Sequence, residues 1–351
     1  MRNVLPARAV SAAGLLLLAA ACRAPTAVAP TDTPQPAEPS PTLSPTATAT
    51  VEASSTPTAT SASEVPVIAA TGLFRLTSDP GIDRDPTWAP DASRIAFTSD
   101  RTGTFEIYSL NVDGTGLAQL TDDGEFGLDK QTPDWSPDGK RIAFVTLFDL
   151  YFIYAFKVEP AYSQPFSALD DSRKSLLSDL STDSMSPAWS PDGSLIAFTM
   201  KDMSLVSQVF LLDPVTWSSL QLTHGTYPAY GPKWSPDGRQ IAFTSVPSGH
   251  LDIYVIGVDG TGLTRLTDYP ANDGDVSWSP DGRYIAFDSD RGGCCALYIM
   301  RADGSEVVRL DVGEGDNFDP VWSPDGQYIV FVTDRDGNLE IYRIDAPTLQ
   351  P

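Results

Sequence analysis

One five-residue sequence, Trp-Ser-Pro-Asp-Gly, recurs along this 351-residue chain, and no other feature restricts the fold as strongly. It begins at Trp135, Trp189, Trp234, Trp278 and Trp322, preceded by the variant Trp88-Ala89-Pro90-Asp91, at intervals of 47, 54, 45, 44 and 44 residues. Six of the seven tryptophans lie in the motif, which marks them as structural residues of a repeat. A fixed period in this range, with several strands per unit, is the signature of a β-propeller with one blade per repeat.

Each unit reads as four strands. Trp278 ends the first; Ser279-Pro280-Asp281-Gly282 is a tight turn, with Pro setting φ and Gly at the position that needs freedom. Tyr284 to Phe287 is the second strand, Leu297 to Met300 the third and Val307 to Leu310 the outermost, after a turn at Ala302-Asp303-Gly304-Ser305. From the motif Trp to the aromatic of the third strand is 20, 19, 21, 20, 20 and 20 residues. In four of the five complete units another 12 residues reach the outer Leu; the second unit needs 26, an insertion around Ala161 to Arg173. The 30 Pro and 26 Gly oppose a helical bundle, because Pro costs about 3 kcal/mol inside a helix, and suit short strands with tight turns. The expected fold is all-β, a six-bladed propeller over 68–351.

The chain ends predict how the ring closes. The sixth unit stops after Glu340-Ile341-Tyr342-Arg343-Ile344 without an outer strand, while an orphan strand, Leu73-Phe74-Arg75-Leu76-Thr77, precedes the first unit. It matches the outer strand Leu263-Thr264-Arg265-Leu266-Thr267, so the N-terminal strand is expected to complete the last blade and remove two open edges.

Upstream, Arg2 and Arg8, the apolar run Leu15 to Leu18 and small residues up to Cys22 have the build of an export signal over 1–21. The run is shorter than the roughly 20 residues a membrane span needs. Ala19-Ala20-Ala21-Cys22 resembles the bacterial lipobox, which implies that Cys22 becomes the acylated first residue of the mature chain and holds it to a bacterial membrane, periplasmic or cell-surface. Between residues 23 and 67, Pro, Thr, Ala and Ser supply 34 of 45 residues and no aromatic occurs, so 22–67 is read as a lipidated Cys and a disordered tether.

Past residue 67 the repeat is similar to that of the TolB-type propeller family, whose units carry this Trp-Ser-Pro-Asp-Gly turn, the Ile-Ala-Phe strand, the Ser-Asp-Arg-x-Gly loop and the Ile-Tyr strand. The α/β domain that precedes the propeller in TolB is replaced here by the tether. The resemblance implies a fold more than an activity, since such blades also occur in peptidase propellers and sugar lyases.

Charge and motifs narrow the function. With 46 Asp plus Glu against 23 Lys plus Arg the net charge is -23, which repels nucleic acid. No Gly-x-Ser-x-Gly elbow, Walker loop or His-Glu-x-x-His helix is present. The reading is a monomeric, non-catalytic module that binds or scaffolds an envelope or extracellular protein or glycan. A carbohydrate-active lyase or glycosidase using two rim carboxylates is the alternative, and an envelope Tol-like complex or sensor component a third.

The binding face is expected on the rim opposite the Trp-Ser-Pro-Asp-Gly turns. Asp100, Arg101, Asp290, Arg291, Asp334 and Arg335 lie in the loops between second and third strands there; Asp83, Arg84, Asp85, Asp129, Asp275, Asp316, Phe318 and Asp319 lie where one blade passes to the next. The competing reading of the three Asp-Arg pairs is that they fix loop geometry across neighbouring blades. No cofactor is indicated beyond Ca²⁺ in the central channel, where several carboxylates could supply its six to eight oxygens. The adjacent Cys294 and Cys295 could close a strained disulfide.

Overall fold

The computed structural model describes residues 50–51, 65–122, 129–148, 150–157, 174–176, 185–216, 218–293 and 295–349. The export signal, Cys22, most of the tether, the Ala161 to Arg173 insertion and Cys294, hence the disulfide, lie outside them. Among the described residues all regular structure is strand.

Successive antiparallel sheets follow the repeat. Each opens on a strand ending at a motif tryptophan: Asp83–Trp88, Asp129–Trp135, Met185–Trp189, Ala229–Trp234, Asp273–Trp278 and Asn317–Trp322. These opening strands touch one another from sheet to sheet, the last touching the first, so they line the axis of a propeller. Five of the sheets have four strands; the sheet of Trp278 has five, which departs from the expected uniform four. Its extra member is Val67–Ala69, laid parallel along Val308–Asp311. The propeller therefore starts at residue 65 rather than 68: the Pro66 carbonyl accepts from Arg309 N, and Val65 packs on the cluster around Trp278.

Ring closure follows the expectation. Phe74–Arg75 pairs antiparallel with Glu340–Asp345 as the outer strand of the last sheet, and Leu76 N donates to the Ile341 carbonyl. Arg75 Nε donates to the Thr77 carbonyl and its Nη2 to Glu340; in the fourth sheet Arg265 does the same to Thr267 and Asp252. The match between the two segments in sequence is thus a match in hydrogen bonding.

The core lies between sheets, because each sheet buries both faces. Six apolar clusters each straddle two neighbours, and the one holding Trp88, Phe97 and Tyr108 also holds Phe318, Val330 and Ile341, joining the first sheet to the last. The Phe of each Ile-Ala-Phe strand is fully buried at 97, 144, 198, 243 and 287, as is Phe331 of the equivalent Ile329-Val330-Phe331.

The Trp-Ser-Pro-Asp-Gly turns also tie neighbouring units together. In the fifth unit Ser279 Oγ donates to Asp281 at 2.6 Å and Gly282 N donates to the Ser279 carbonyl. Gly282 has φ +70°, and a Cβ there would stand 3.3 Å from Pro236 of the preceding turn, so glycine serves both conformation and packing.

Candidate functional site

The rim opposite these turns is built from a repeated clamp. In the first, fifth and sixth sheets the arginine of the Asp-Arg loop folds back over its own sheet. Arg101 Nη2 meets both oxygens of Asp83 at 2.9 Å, Arg291 Nη2 meets both of Asp273 at 2.7 Å, and Arg335 Nη2 meets Asn317 Oδ1 at 2.9 Å. Each guanidinium lies over two core rings: 5.3 Å from Phe97 and 4.6 Å from Tyr108, 5.3 Å from Phe287 and 4.9 Å from Tyr298, 5.6 Å from Phe331 and 4.7 Å from Tyr342. A charge-assisted hydrogen bond with the guanidinium plane stacked on aromatic rings is a favourable setting for a buried Arg. The pairs form within one blade, not across two.

The neighbouring aspartates are engaged as well. Asp100, Asp290 and Asp334 accept from the backbone N–H of Ile82, Asn272 and Asp316, so each holds the start of its own blade. Asp129 accepts from Phe105 N and Asp316 from Cys295 N, tying one blade to the previous one. Two expectations are corrected outright. Asp83 is fully buried beneath Arg101, and Phe318 is buried in the cluster joining the last and first sheets, so neither side chain is on the rim surface. Strand alternation and the clamp turn them inward.

A further group of carboxylates, Asp85, Asp275 and Asp319, comes from the middle of the opening strands, where Asp85 accepts from Thr132 N at 3.3 Å. Every opening strand carries a bulge three residues before its tryptophan, and the residue there has positive φ: Asp85 at 53°, Thr132 at 50°, Ser186 at 53°, Gly231 at 57°, Asp275 at 42° and Asp319 at 53°. A bulge re-aims the side chain relative to the pleat. Ring closure makes the three aspartates consecutive, through the fifth, sixth and first sheets, while the other three positions are uncharged. Asp288, on the adjacent strand of the fifth sheet, joins them, and its Oδ1 is buried without a hydrogen bond.

Burial pushes the Asp319 carboxyl well above the usual carboxylate range, and Asp275 and Asp85 raise it further. Asp288 is raised in the same way, by burial first and then by Asp275 and Asp319. Like charges held together in a poorly solvated place cannot all ionise cheaply. Arg84 stands beside this group, its Nε 3.7 Å from Asp85 and its guanidinium 4.4 Å from the Phe105 ring.

Nearer the turn-bearing rim the residue before each tryptophan forms a second tier. Asp134 there accepts from Trp189 N at 2.7 Å and from the Thr87 hydroxyl at 3.3 Å, and Ser277 Oγ accepts from Trp322 N at 3.0 Å. Burial pushes Asp134 up to about 6 against the opposing pull of Lys233. A pocket of about 200 Å³ opens between Asp134 and Lys233 over Ala188. Asp134, Lys233 and Asp288 escaped sequence reasoning. Counting back from each Trp would have found the first two, and the place after each Ile-Ala-Phe, where Thr98, Thr199 and Thr244 stand, would have exposed Asp288.

Of the structural tryptophans, Trp88, Trp135, Trp189, Trp278 and Trp322 are buried and Trp234 is partly so. Trp88, Trp234 and Trp278 each donate Nε1 to a carbonyl of the preceding sheet, those of Val321, Ala188 and Lys233. Among the described residues no three His, Cys, Asp or Glu side chains are grouped to hold a metal ion. The Cys295 thiol is pushed up to about 12, by burial and then by Asp288 and Asp316.

Comparison with known proteins agrees with this architecture. A 55-residue stretch is 42% identical to the Tol-Pal system protein TolB of Bordetella pertussis; it covers 15% of this chain and 13% of that protein. The structure assigned as TolB from Agrobacterium tumefaciens superposes with a TM-score of 0.58 at 23% identity, over 79% of this chain and 97% of that one. An oligogalacturonate lyase from Vibrio parahaemolyticus superposes with a TM-score of 0.51 at 15% identity, over 80% and 96%, a likeness of fold. The TolB β-propeller domain model matches residues 33–154 and 147–350, so the blades, the bulged axial strands and the match together place this chain in the TolB β-propeller domain family.

Proposed function

We propose that this chain is a non-catalytic binding module of the bacterial envelope, a six-bladed propeller anchored by acylated Cys22 and tethered through residues 22–64. Its channel mouth receives a cationic group, a Lys or Arg side chain of a partner protein. The observation that carries this reading is the placing of Asp85, Asp275 and Asp319 by three consecutive bulges on one half of the channel, with Asp288 beside them. A cation inserted there relieves the mutual repulsion that raises Asp288 and Asp319. An excess of acid over base in a narrow channel also focuses negative potential and speeds the approach of basic ligands. An envelope location accords with the likeness to a Tol-Pal protein.

A fluorescent hexalysine peptide tests the channel. Anisotropy is expected to show binding that weakens between low and physiological salt, where screening shortens to about 8 Å. The triple variant Asp85→Asn, Asp275→Asn, Asp319→Asn is expected to lose at least about tenfold in affinity, roughly 1.4 kcal/mol. Unchanged affinity in that folded variant overturns the reading. For the anchor, Cys22→Ala is expected to move the protein from the membrane to the soluble fraction, because the acyl group on Cys22 is the attachment that this reading supplies; equal membrane content in both proteins rejects it.

A further inference from the structure

The residues that precede the motif tryptophans sort into two kinds. Where that residue is Val321, Ala188 or Lys233, its carbonyl accepts the Nε1–H of the tryptophan in the next sheet, Trp88, Trp234 or Trp278. Where it is Thr87, Asp134 or Ser277, the next tryptophan, Trp135, Trp189 or Trp322, buries its Nε1 without a hydrogen bond. In the second kind the polar side chain ties the tier together instead. Asp134 accepts the backbone N–H of Trp189, Ser277 accepts that of Trp322, and the Thr87 hydroxyl donates to Asp134.

Lys233 is the polar residue of this tier that does neither. An ammonium has three donors and no acceptor, so it cannot take a tryptophan N–H as Asp134 and Ser277 do. Among the described residues its Nζ makes no hydrogen bond and no ion pair, and only its backbone carbonyl is used. Half-buried, the side chain lines the pocket of about 200 Å³ whose other charged wall is Asp134. It lies near enough to lower the proton affinity of Asp134 and of Asp319, yet it bridges to neither. Between the two charges the walls are the tryptophans and prolines of three successive motif turns, 189–191, 234–236 and 278–280, over Ala188. An ammonium and a carboxylate that share a pocket without closing on each other leave room for a molecule that carries both charges.

We propose that this pocket binds a free α-amino acid with an apolar side chain. The ligand's ammonium meets Asp134, its carboxylate meets Lys233, and its side chain lies against the tryptophans and prolines. Charge-assisted hydrogen bonds at the two ends fix its orientation, and apolar contact supplies the rest of the affinity, as in most small-molecule sites. A cavity of about 150 Å³ takes benzene, so this one has room for an amino acid of leucine size and is too small for an oligosaccharide. A ligand with one charge fits worse, because a lone carboxylate is repelled by Asp134 and a lone amine by Lys233. The pocket opens among the motif turns rather than at the bulges, so it is independent of the site proposed for a cationic partner.

The test is isothermal titration calorimetry of the full chain with L-leucine, L-methionine and L-phenylalanine, run above the Asp134 value of about 6 so that its carboxylate is ionised. At least one of the three is expected to bind with a Kd of about 1 mM or tighter and to change the fluorescence of the pocket tryptophans. The methyl ester of that amino acid keeps only the ammonium and the N-acetyl derivative only the carboxylate. Each is expected to bind at least about tenfold more weakly. Lys233→Met keeps the apolar stem and removes the charge. It is expected to weaken the free amino acid at least about tenfold and to abolish its advantage over the ester. Four results each overturn the proposal: no binding of any of the three, an ester or an N-acetyl derivative that binds as tightly as the free amino acid, unchanged affinity in folded Lys233→Met, or an advantage over the ester that survives that substitution. If Lys233→Met does not fold, the three ligand forms on the wild-type protein decide alone.

Discussion

Deleting residues 1–77 is expected to leave the propeller largely unfolded at room temperature, whereas deleting residues 1–64 leaves its melting temperature unchanged. The first cut removes Phe74–Arg75, the outer strand that closes the last sheet. It also takes from Glu340, fully buried, two of its three donors, Thr77 Oγ1 at 2.6 Å and Arg75 Nη2 at 2.9 Å, and leaves only Asn338 Nδ2 at 2.9 Å. Removing the charged partner of a buried carboxylate costs about 3–5 kcal/mol, and losing the buried Leu76 about 2 more. Against a typical net stability of about 5–15 kcal/mol, that decides whether the ring stays closed. A cut between these, after residue 72, is expected to fall in between, since it loses the Val67–Ala69 strap and the Asp345 N bond to the Thr71 carbonyl but keeps the closing strand. Circular dichroism with urea titration measures all three, and equal midpoints for the 1–64 and 1–77 deletions would refute closure by this strand.

The second large effect is on pH. The turn aspartates Asp138, Asp192 and Asp237 are held below the usual carboxylate range, first by the hydroxyls of Ser136, Ser190 and Ser235. They stabilise the fold above the unfolded carboxylate value near 4, and that contribution is lost as pH falls through their depressed values. Asp134, Asp288 and Asp319 have the opposite sign. Their native values are raised, so the native state binds protons more tightly than the unfolded chain. Their relative stabilisation is complete below about 4 and is lost as pH rises through the raised values, about 6 for Asp134. Stability is therefore expected to peak between about pH 4 and 6.

The double variant Asp288→Asn, Asp319→Asn should flatten the alkaline side of that peak. Its melting temperature at pH 8 is expected to rise by about 5 °C or more, roughly 2 kcal/mol for a domain of this size, and to match the wild type near pH 4. Melting curves from pH 4 to 8 check this. A variant less stable than wild type at pH 8 would mean that the ionised carboxylates are held by favourable contacts rather than crowded together. The same pair bears on binding, since a cation that docks among these carboxylates should lower their proton affinity and move the alkaline limb upward.

What the sequence by itself determined is whatever depends on local chemistry and counting. The spacing of 44 to 54 residues between tryptophans, the Pro and Gly of each turn and the Ile-Ala-Phe strands specify blades, because turn geometry and strand pairing act within about 45 residues. Closure was legible too, since Leu73 to Thr77 repeats Leu263 to Thr267 and both bind the same kind of partner, Glu340 and Asp252. The rim candidates were legible as residue types and illegible as roles. Asp83 and Asp85 are two residues apart on one strand, which simple alternation would put on one face. The bulge between Arg84 and Thr87 breaks that alternation, leaving Asp83 under the Arg101 clamp and Asp85 with the channel acids. Asp100, Asp290 and Asp334 look like free charges in sequence, yet each is used by a backbone N–H about 18 residues away. Only the tertiary structure decided which donors each carboxylate meets, because that depends on what the closed ring brings within hydrogen-bonding distance. It alone also brought Asp85 beside Asp275 and Asp319, residues some 190 and 234 positions away in the chain, through a seam that exists only once the N-terminal strand has paired with the last blade.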